Sequence, residues 1–160
     1  MKGAPAPFFL MLDREYWDFH PDWLDYVKRA WEGRGRVEMI QVDTPESVAF
    51  RERAAAAFRG RGIPVRRMKT YLSVQVHEEG DGYAPMYPHI HYPTNGTALI
   101  HYLQPGDKPA PLDVFEDGEV VESIYPEPGL TVFMPNSTWH GARKNNGVED
   151  RIQLIATTLR

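Results

Sequence analysis

His89 and His91 stand two residues apart in Pro88-His89-Ile90-His91-Tyr92, and His140 follows much later, in Trp139-His140-Gly141. In an extended strand, residues i and i+2 point to the same face, so the first two imidazoles can converge on one point. With His140 they offer three nitrogens to one side of a cation, leaving the other side for substrate and oxidant. Histidine-only ligation suits iron, copper, zinc or nickel, and spacing does not choose among them. The plainer reading of the pair is two half-buried polar side chains beside a Tyr/Pro-rich loop. Eleven residues beyond His140 stands Arg151, opening an otherwise apolar run. Pointing inward, this cation would need an anion; pointing outward, it is an ordinary strand-end arginine. His77 and His101 sit on strand patterns where a hydrogen-bonded core or pocket histidine is the usual role.

The elements that must hold these groups are short and turn-rich. Fourteen prolines and thirteen glycines punctuate many β-type runs. A first strand is expected over 8–12. Over 20–32, Pro21 suits a first helical turn, and Leu24, Val27 and Trp31, with Trp23 beside them, recur at helical spacing. A strand is expected over 36–42. Thr44-Pro45-Glu46 supplies an N-cap, a first-turn proline and an early carboxylate. Phe50, Ala54, Ala57 and Phe58 then mark one buried helical face, and Gly60 and Gly62 end it.

From Val65 onward the pattern is that of strands. Tyr71, Ser73, Gln75 and His77 alternate with Leu72, Val74 and Val76. Thr97 to Leu103 is strongly β-type, and Asp117-Gly118 is a two-residue hairpin signal between 112–116 and 119–125. Strands over 130–134 and 151–159 complete the pattern. Two helices before about eight strands predict a mainly β, α+β architecture, an antiparallel sandwich or barrel with helices on one sheet.

At 160 residues the chain is expected to form one domain, 1–160, with a helical buttress and leading strands over 1–70 and the β core over 71–160. It has no cysteine, which excludes disulfides and thiolate metal sites. A net charge of −4 argues against nucleic-acid binding through bulk charge. A local run of basic residues from Arg51 to Lys69 reads either as a solvated helix face or as a docking patch for an acidic partner. No stretch approaches the length of a membrane span, and no signal-peptide pattern opens the chain, so a cytoplasmic location is the default.

Taken together, His89-Ile90-His91, the loop 92–96, Thr-Ala-Leu-Ile-His-Tyr-Leu at 97–103, Leu112-Asp113-Val114-Phe115, the turn Pro126-Glu127-Pro128-Gly129 into Leu130-Thr131-Val132-Phe133, His140 and Arg151 resemble the Fe(II)/2-oxoglutarate-dependent oxygenases, in particular the prolyl-hydroxylase-like branch. The resemblance covers roughly residues 71–159. It implies a double-stranded β-helix, the cupin-like jelly roll, buttressed by the two helices. It implies that His89 and His140 bind Fe(II), that Arg151 pairs with the distal carboxylate of 2-oxoglutarate, and that Tyr102 adds a hydrogen bond there. O2 would be the oxidant, and a small molecule or peptide the substrate, with Trp139, His77 and Asn95 at the pocket mouth.

The family's pattern has Asp where this chain has His91, which leaves the site one unit more positive. A third imidazole ligand is the expected outcome, with Asp113 from another strand as a second way to complete the site. In a shifted register His91 is the first ligand and Pro93 takes the carboxylate position as a non-ligand, somewhat like the family's halogenases, which carry a small residue there; the distance to Tyr102-Leu103 and the flanking turn favour His89 first. The glycine pair that often precedes the middle strand in prolyl hydroxylases is replaced by Lys108-Pro109-Ala110-Pro111. Three rival functions follow: a cupin-like three-histidine dioxygenase without 2-oxoglutarate, a jelly-roll binding module that has lost its chemistry, and a zinc hydrolase.

Overall fold

The structure is a computed structural model and describes residues 12–18, 22–32, 36–38 and 44–159. Two helices and nine strands follow in the order β1 (Asp13–Tyr16), α1 (Asp22–Trp31), β2 (Arg36–Glu38), α2 (Pro45–Gly60), β3 (Arg67–Gln75), β4 (Thr97–Gln104), β5 (Leu112–Glu116), β6 (Glu119–Ile124), β7 (Leu130–Pro135), β8 (Trp139–Ala142) and β9 (Arg151–Leu159). Six strands form one antiparallel sheet, in the order β1-β7-β4-β9-β3-β2, and three form a second, β6-β5-β8. Two isolated bridges, Tyr83 with Arg143 and His89 with His140, tie the segment between β3 and β4 to the edge of the smaller sheet.

Strand parity sorts the side chains into two cores. On the outer face of the large sheet, Leu72, Val74, Leu99, Phe133, Ile152, Leu154 and Ala156 pack with Trp23 and Val27 of α1 and Phe50, Ala54, Ala57 and Phe58 of α2. On its inner face, Ala98, Ile100, Tyr102, Leu130, Val132 and Met134 meet Leu112, Val114 and Ile124 of the small sheet. The expected buried face of α2 is therefore the observed one.

Local chemistry explains the element ends. Thr44 caps α2, and its box partner is Ser47 rather than an acid: each side chain takes the other's backbone N–H at 3.2 Å. The β5–β6 turn has positive φ at both Asp117 (53°) and Gly118 (79°), the twist a two-residue hairpin needs.

The strand expected over 8–12 lies outside the described residues except for Leu12, which packs on the inner core and belongs to no strand. The remainder of the strand expected over 36–42, beyond β2, and the first two residues of the helix expected over 20–32 also lie outside them, while Glu32 forms a turn after α1. β1 takes the edge position beside β7 instead. Its acidic residues meet part of the basic run: Arg61 bonds Asp13 at 2.8 Å and Glu15 at 2.9 Å, and Arg53 lies 3.5 Å from Glu15. Among the described residues, no helix is long and apolar enough to cross a membrane.

Candidate metal centre

β8 and the segment before β4 bring His89, His91 and His140 together. His89 and His140 form a two-way backbone bridge, N–H to O at 2.9 and 3.1 Å, and the His91 N–H donates to the Asn136 carbonyl at 2.8 Å. The buried Asn136 amide also donates to the Pro93 carbonyl at 2.9 Å, so one turn residue holds both sides of the histidine segment. Gly141 is required for this closeness: a Cβ there would stand 2.9 Å from the Tyr83 ring and 3.1 Å from Pro88.

The three rings face one another, with one nitrogen from each lying within 4.8 Å of the other two. Nδ1 of His89 is 2.8 Å from the Tyr87 carbonyl and Nδ1 of His140 is 2.9 Å from that of Thr138. A carbonyl only accepts, so each Nδ1 carries its proton, and the neutral ring leaves Nε2 as a lone pair. Such an outer hydrogen bond is what orients a metal-ligating imidazole. Nε2 of His91 and Nε2 of His140 are 3.2 Å apart. Two nitrogens each about 2.1 Å from one ion, at right or tetrahedral angles, stand about 3.0–3.4 Å apart. Burial lowers the pKa of His140 to about 4, against the bond to Thr138 and with help from the nearby His89, so this ring is neutral at ordinary pH.

The histidines line a cavity between the sheets, with Ser73, Gln75, Gln153, Ile100, Leu112, Ile155 and Met86 on its other walls. Behind this wall lies Arg151, 1% exposed. Its Nε donates to the Gln75 Oε1 in a short bond, one terminal nitrogen to the Ala110 carbonyl at 2.8 Å, and the other to the Arg143 carbonyl. Burial holds its pKa below the ordinary value, partly offset by Tyr102, yet a guanidinium stays charged. Among the described residues no carboxylate pairs with it. Beside it, burial pushes the pKa of the fully buried Tyr102 hydroxyl up to about 12, against the opposing pull of the Arg151 charge and of the neighbouring Gln153 side chain, and the hydroxyl has no acceptor for its own proton. A buried cation that pairs with no carboxylate among the described residues and a buried phenol without an acceptor thus lie beyond the wall of the cavity that the three imidazoles line.

Neither a protein-family model nor a curated protein matches the sequence. Solved structures do match. A viral collagen prolyl hydroxylase from Paramecium Bursaria Chlorella virus-1 superposes with a TM-score of 0.68 at 10% identity, over 100% of this chain and 98% of that one. AviO1 from Streptomyces viridochromogenes Tue57 gives 0.67 at 16%, over 93% and 89%. The non-heme alpha ketoglutarate dependent epimerase SnoN from nogalamycin biosynthesis gives 0.65 at 21%, over 86% and 70%. The fold is the double-stranded β-helix. At these identities the likeness is one of fold, and function has to be read from the site.

Within the β-helix the other candidate residues are placed as follows. Asp113 does not join the histidines. It is buried beneath Tyr83, accepting bonds from the Tyr83 hydroxyl, Ser123 and Arg143 at 2.7 Å each. Burial raises its pKa, but those three donors outweigh burial and leave it below the ordinary carboxylate range. None of the three residues expected at the pocket mouth lines the histidine cavity. Trp139 precedes His140 on β8 and by parity faces away, into a groove with Leu12, Val121 and Thr138. Asn95 lines a separate cleft with Arg61, Pro64 and Phe133. His77 lies beyond the end of β3, its Nδ1 2.9 Å from the Gly147 carbonyl. His101 faces the helices, stacked on Trp17 at 5.1 Å and paired with the Thr131 hydroxyl at 2.8 Å. The residues that sequence reasoning missed are Gln75, Gln153 and Asn136. For the glutamines the signal was present in the alternation: Ser73 and Gln75 are polar on one side of a strand whose other side is Leu72 and Val74.

Proposed function

We propose that this protein is a non-haem oxygenase in which His89, His91 and His140 hold Fe(II), and 2-oxoglutarate serves as cosubstrate for oxidation of a small molecule or peptide. The observation that carries the reading is the pairing of three convergent imidazoles with a buried arginine that bonds no carboxylate among the described residues. Neutral imidazoles add no charge, so a divalent ion with Arg151 makes a cavity three units positive, and a dicarboxylate compensates most of it. The likeness of fold to an alpha ketoglutarate dependent enzyme and to a prolyl hydroxylase supports the same choice.

When bound, Fe(II) and 2-oxoglutarate supply oxygen activation coupled to loss of carbon dioxide and release of succinate. The chain's own residues bind, orient and shield. The carbonyls of Tyr87 and Thr138 fix the rings of His89 and His140 with Nε2 inward. Arg151 and Tyr102 would receive the distal carboxylate, the first as a charge-assisted donor and the second as a neutral O–H. Ile100, Leu112 and Ile155 keep the cavity wall apolar and limit water.

A second reading has an observation of its own. Gln75 and two backbone carbonyls already engage Arg151. A three-histidine dioxygenase that does not use 2-oxoglutarate would leave those bonds in place. Anaerobic addition of Fe(II) and then 2-oxoglutarate separates the two. The first predicts a weak visible charge-transfer band, followed by succinate when oxygen is admitted. Stoichiometric iron with no band and no succinate would overturn it; oxygen uptake in that case would favour the second reading, and none would favour a binding module.

A further inference from the structure

Gln75 and Arg151 are direct register partners on β3 and β9, both facing inward. Gln75 lines the cavity, whereas the buried Arg151 does not and is bonded to the Gln75 amide oxygen. We propose that the Gln75 side chain is a resident stand-in for a ligand carboxylate, occupying Arg151 in the free protein and rotating off it when an acid enters. This rests on the cosubstrate reading above and adds what must move for that reading to operate.

Three features support displacement rather than a fixed bridge. First, an amide oxygen on a guanidinium is a weaker partner than a carboxylate, so the exchange trades a neutral acceptor for a charged one. Second, the released amide has a place to go. Its Nε2 already lies 3.5 Å from Oε1 of Gln153, at the outer limit of a hydrogen bond, and a rotation that shortens this contact leaves no buried amide orphaned. Third, the motion is confined to the side chain. The Gln75 backbone carbonyl is held at 2.7 Å by the buried Asn145 amide, which also bonds the Glu149 carbonyl at 2.9 Å. The strand end therefore stays while the side chain swings. The Tyr102 hydroxyl beside Arg151, whose proton has no acceptor, is ready for the second carboxylate oxygen.

The consequence is a reversal of the usual expectation for a pocket residue: removing it tightens binding. The test is equilibrium titration of 2-oxoglutarate into Mn(II)-loaded protein without oxygen, by calorimetry, for the wild type, Gln75→Ala and Gln75→Glu. Gln75→Ala removes the competitor, and its dissociation constant should fall roughly three- to tenfold. Gln75→Glu is nearly isosteric and places a permanent carboxylate on Arg151; binding should weaken by at least about thirtyfold while Mn(II) still binds. Weaker or unchanged binding in Gln75→Ala, or retained binding in Gln75→Glu, would overturn the displacement and leave the cosubstrate reading intact. Mn(II) uptake with no 2-oxoglutarate binding in any of the three proteins would overturn the cosubstrate reading, and the displacement with it.

Discussion

The two faces of the six-stranded sheet are made by alternate residues of the same strands, yet they follow different rules. Outward, Leu99 on β4 and Ile152, Leu154 and Ala156 on β9 pack dry against the helices. Inward, Ala98, Ile100, Leu130, Val132 and Met134 form a second apolar core, but toward β3 it gives way to the buried polar side chains of Ser73, Gln75 and Gln153 on the cavity, with Arg151 behind them. The buried histidines divide in the same way. His101, facing the helices, is stacked on Trp17 and bonded to Thr131, with burial and the Arg53 charge lowering its pKa to about 3. His140, facing the cavity from the small sheet, spends only Nδ1 on the backbone and keeps Nε2 for the other imidazoles. The outer face is packed against the helices throughout; the inner face combines a packed core with buried polar groups around a cavity.

Substitutions on neighbouring residues break this contrast most sharply. Leu154→Ala, on the outer face, should lower unfolding stability by about 2–5 kcal/mol in denaturant titration. Gln153→Ala, one residue away and facing inward, should cost less, about 1 kcal/mol, because its contact with Gln75 is long and it gives up besides only a neutral interaction with Tyr102. Equal costs for the two would remove the distinction between the faces.

The histidines give the next largest difference. His140→Ala should weaken Fe(II) or Zn(II) affinity by at least about a hundredfold. His101→Ala should leave metal affinity unchanged and reduce stability by about 1–3 kcal/mol, since Trp17 loses its stacking partner and Thr131 keeps only its longer bond to the Gly129 carbonyl, at 3.3 Å. Both effects are read from metal titration and thermal melting of the same preparations.

Acid distinguishes the free and metal-bound forms. Both histidines are held neutral in the fold, with pKa values below that of an unfolded histidine. The unfolded chain therefore binds more protons below about pH 6.5, and stability falls as pH drops from there toward about 4, where His140 takes its proton. Each histidine adds up to about 1.4 kcal/mol per pH unit to that slope. Bound metal should steepen the loss, because acid must also displace the ion. A metal-free stability that is flat from pH 7 to 4.5 would contradict this.

The smallest effect is expected at Tyr102. Tyr102→Phe removes an unsatisfied hydroxyl, so stability should hold or rise by up to about 1 kcal/mol. The same change should weaken 2-oxoglutarate binding about three- to tenfold in calorimetry.

Much of this was legible in the chain, for identifiable reasons. The Asp117-Gly118 turn, the Thr44 cap and the face of α2 follow from local chemistry that the tertiary fold did not override. The convergence of His89, His91 and His140 was legible because i, i+2 spacing and chain order constrain it. β1 was not, since Asp-Arg-Glu-Tyr has no apolar alternation; it is an edge strand paired on one side and tied down by Arg61. Gln75 and Gln153 were missed because a glutamine on a strand carries no chemical signature until its neighbour is known to be a buried arginine. Trp139 is next to His140 in sequence but faces away from the histidines, because strand parity puts adjacent residues on opposite faces.

The central claim is that three imidazoles and no carboxylate hold one ion. X-ray absorption fine structure of the Fe(II)-loaded protein, compared with His91→Asp, tests it most directly. The account predicts three imidazole scatterers in the wild type and two in the variant. Two imidazoles in both proteins, with a water or carboxylate oxygen in place of His91, would contradict it.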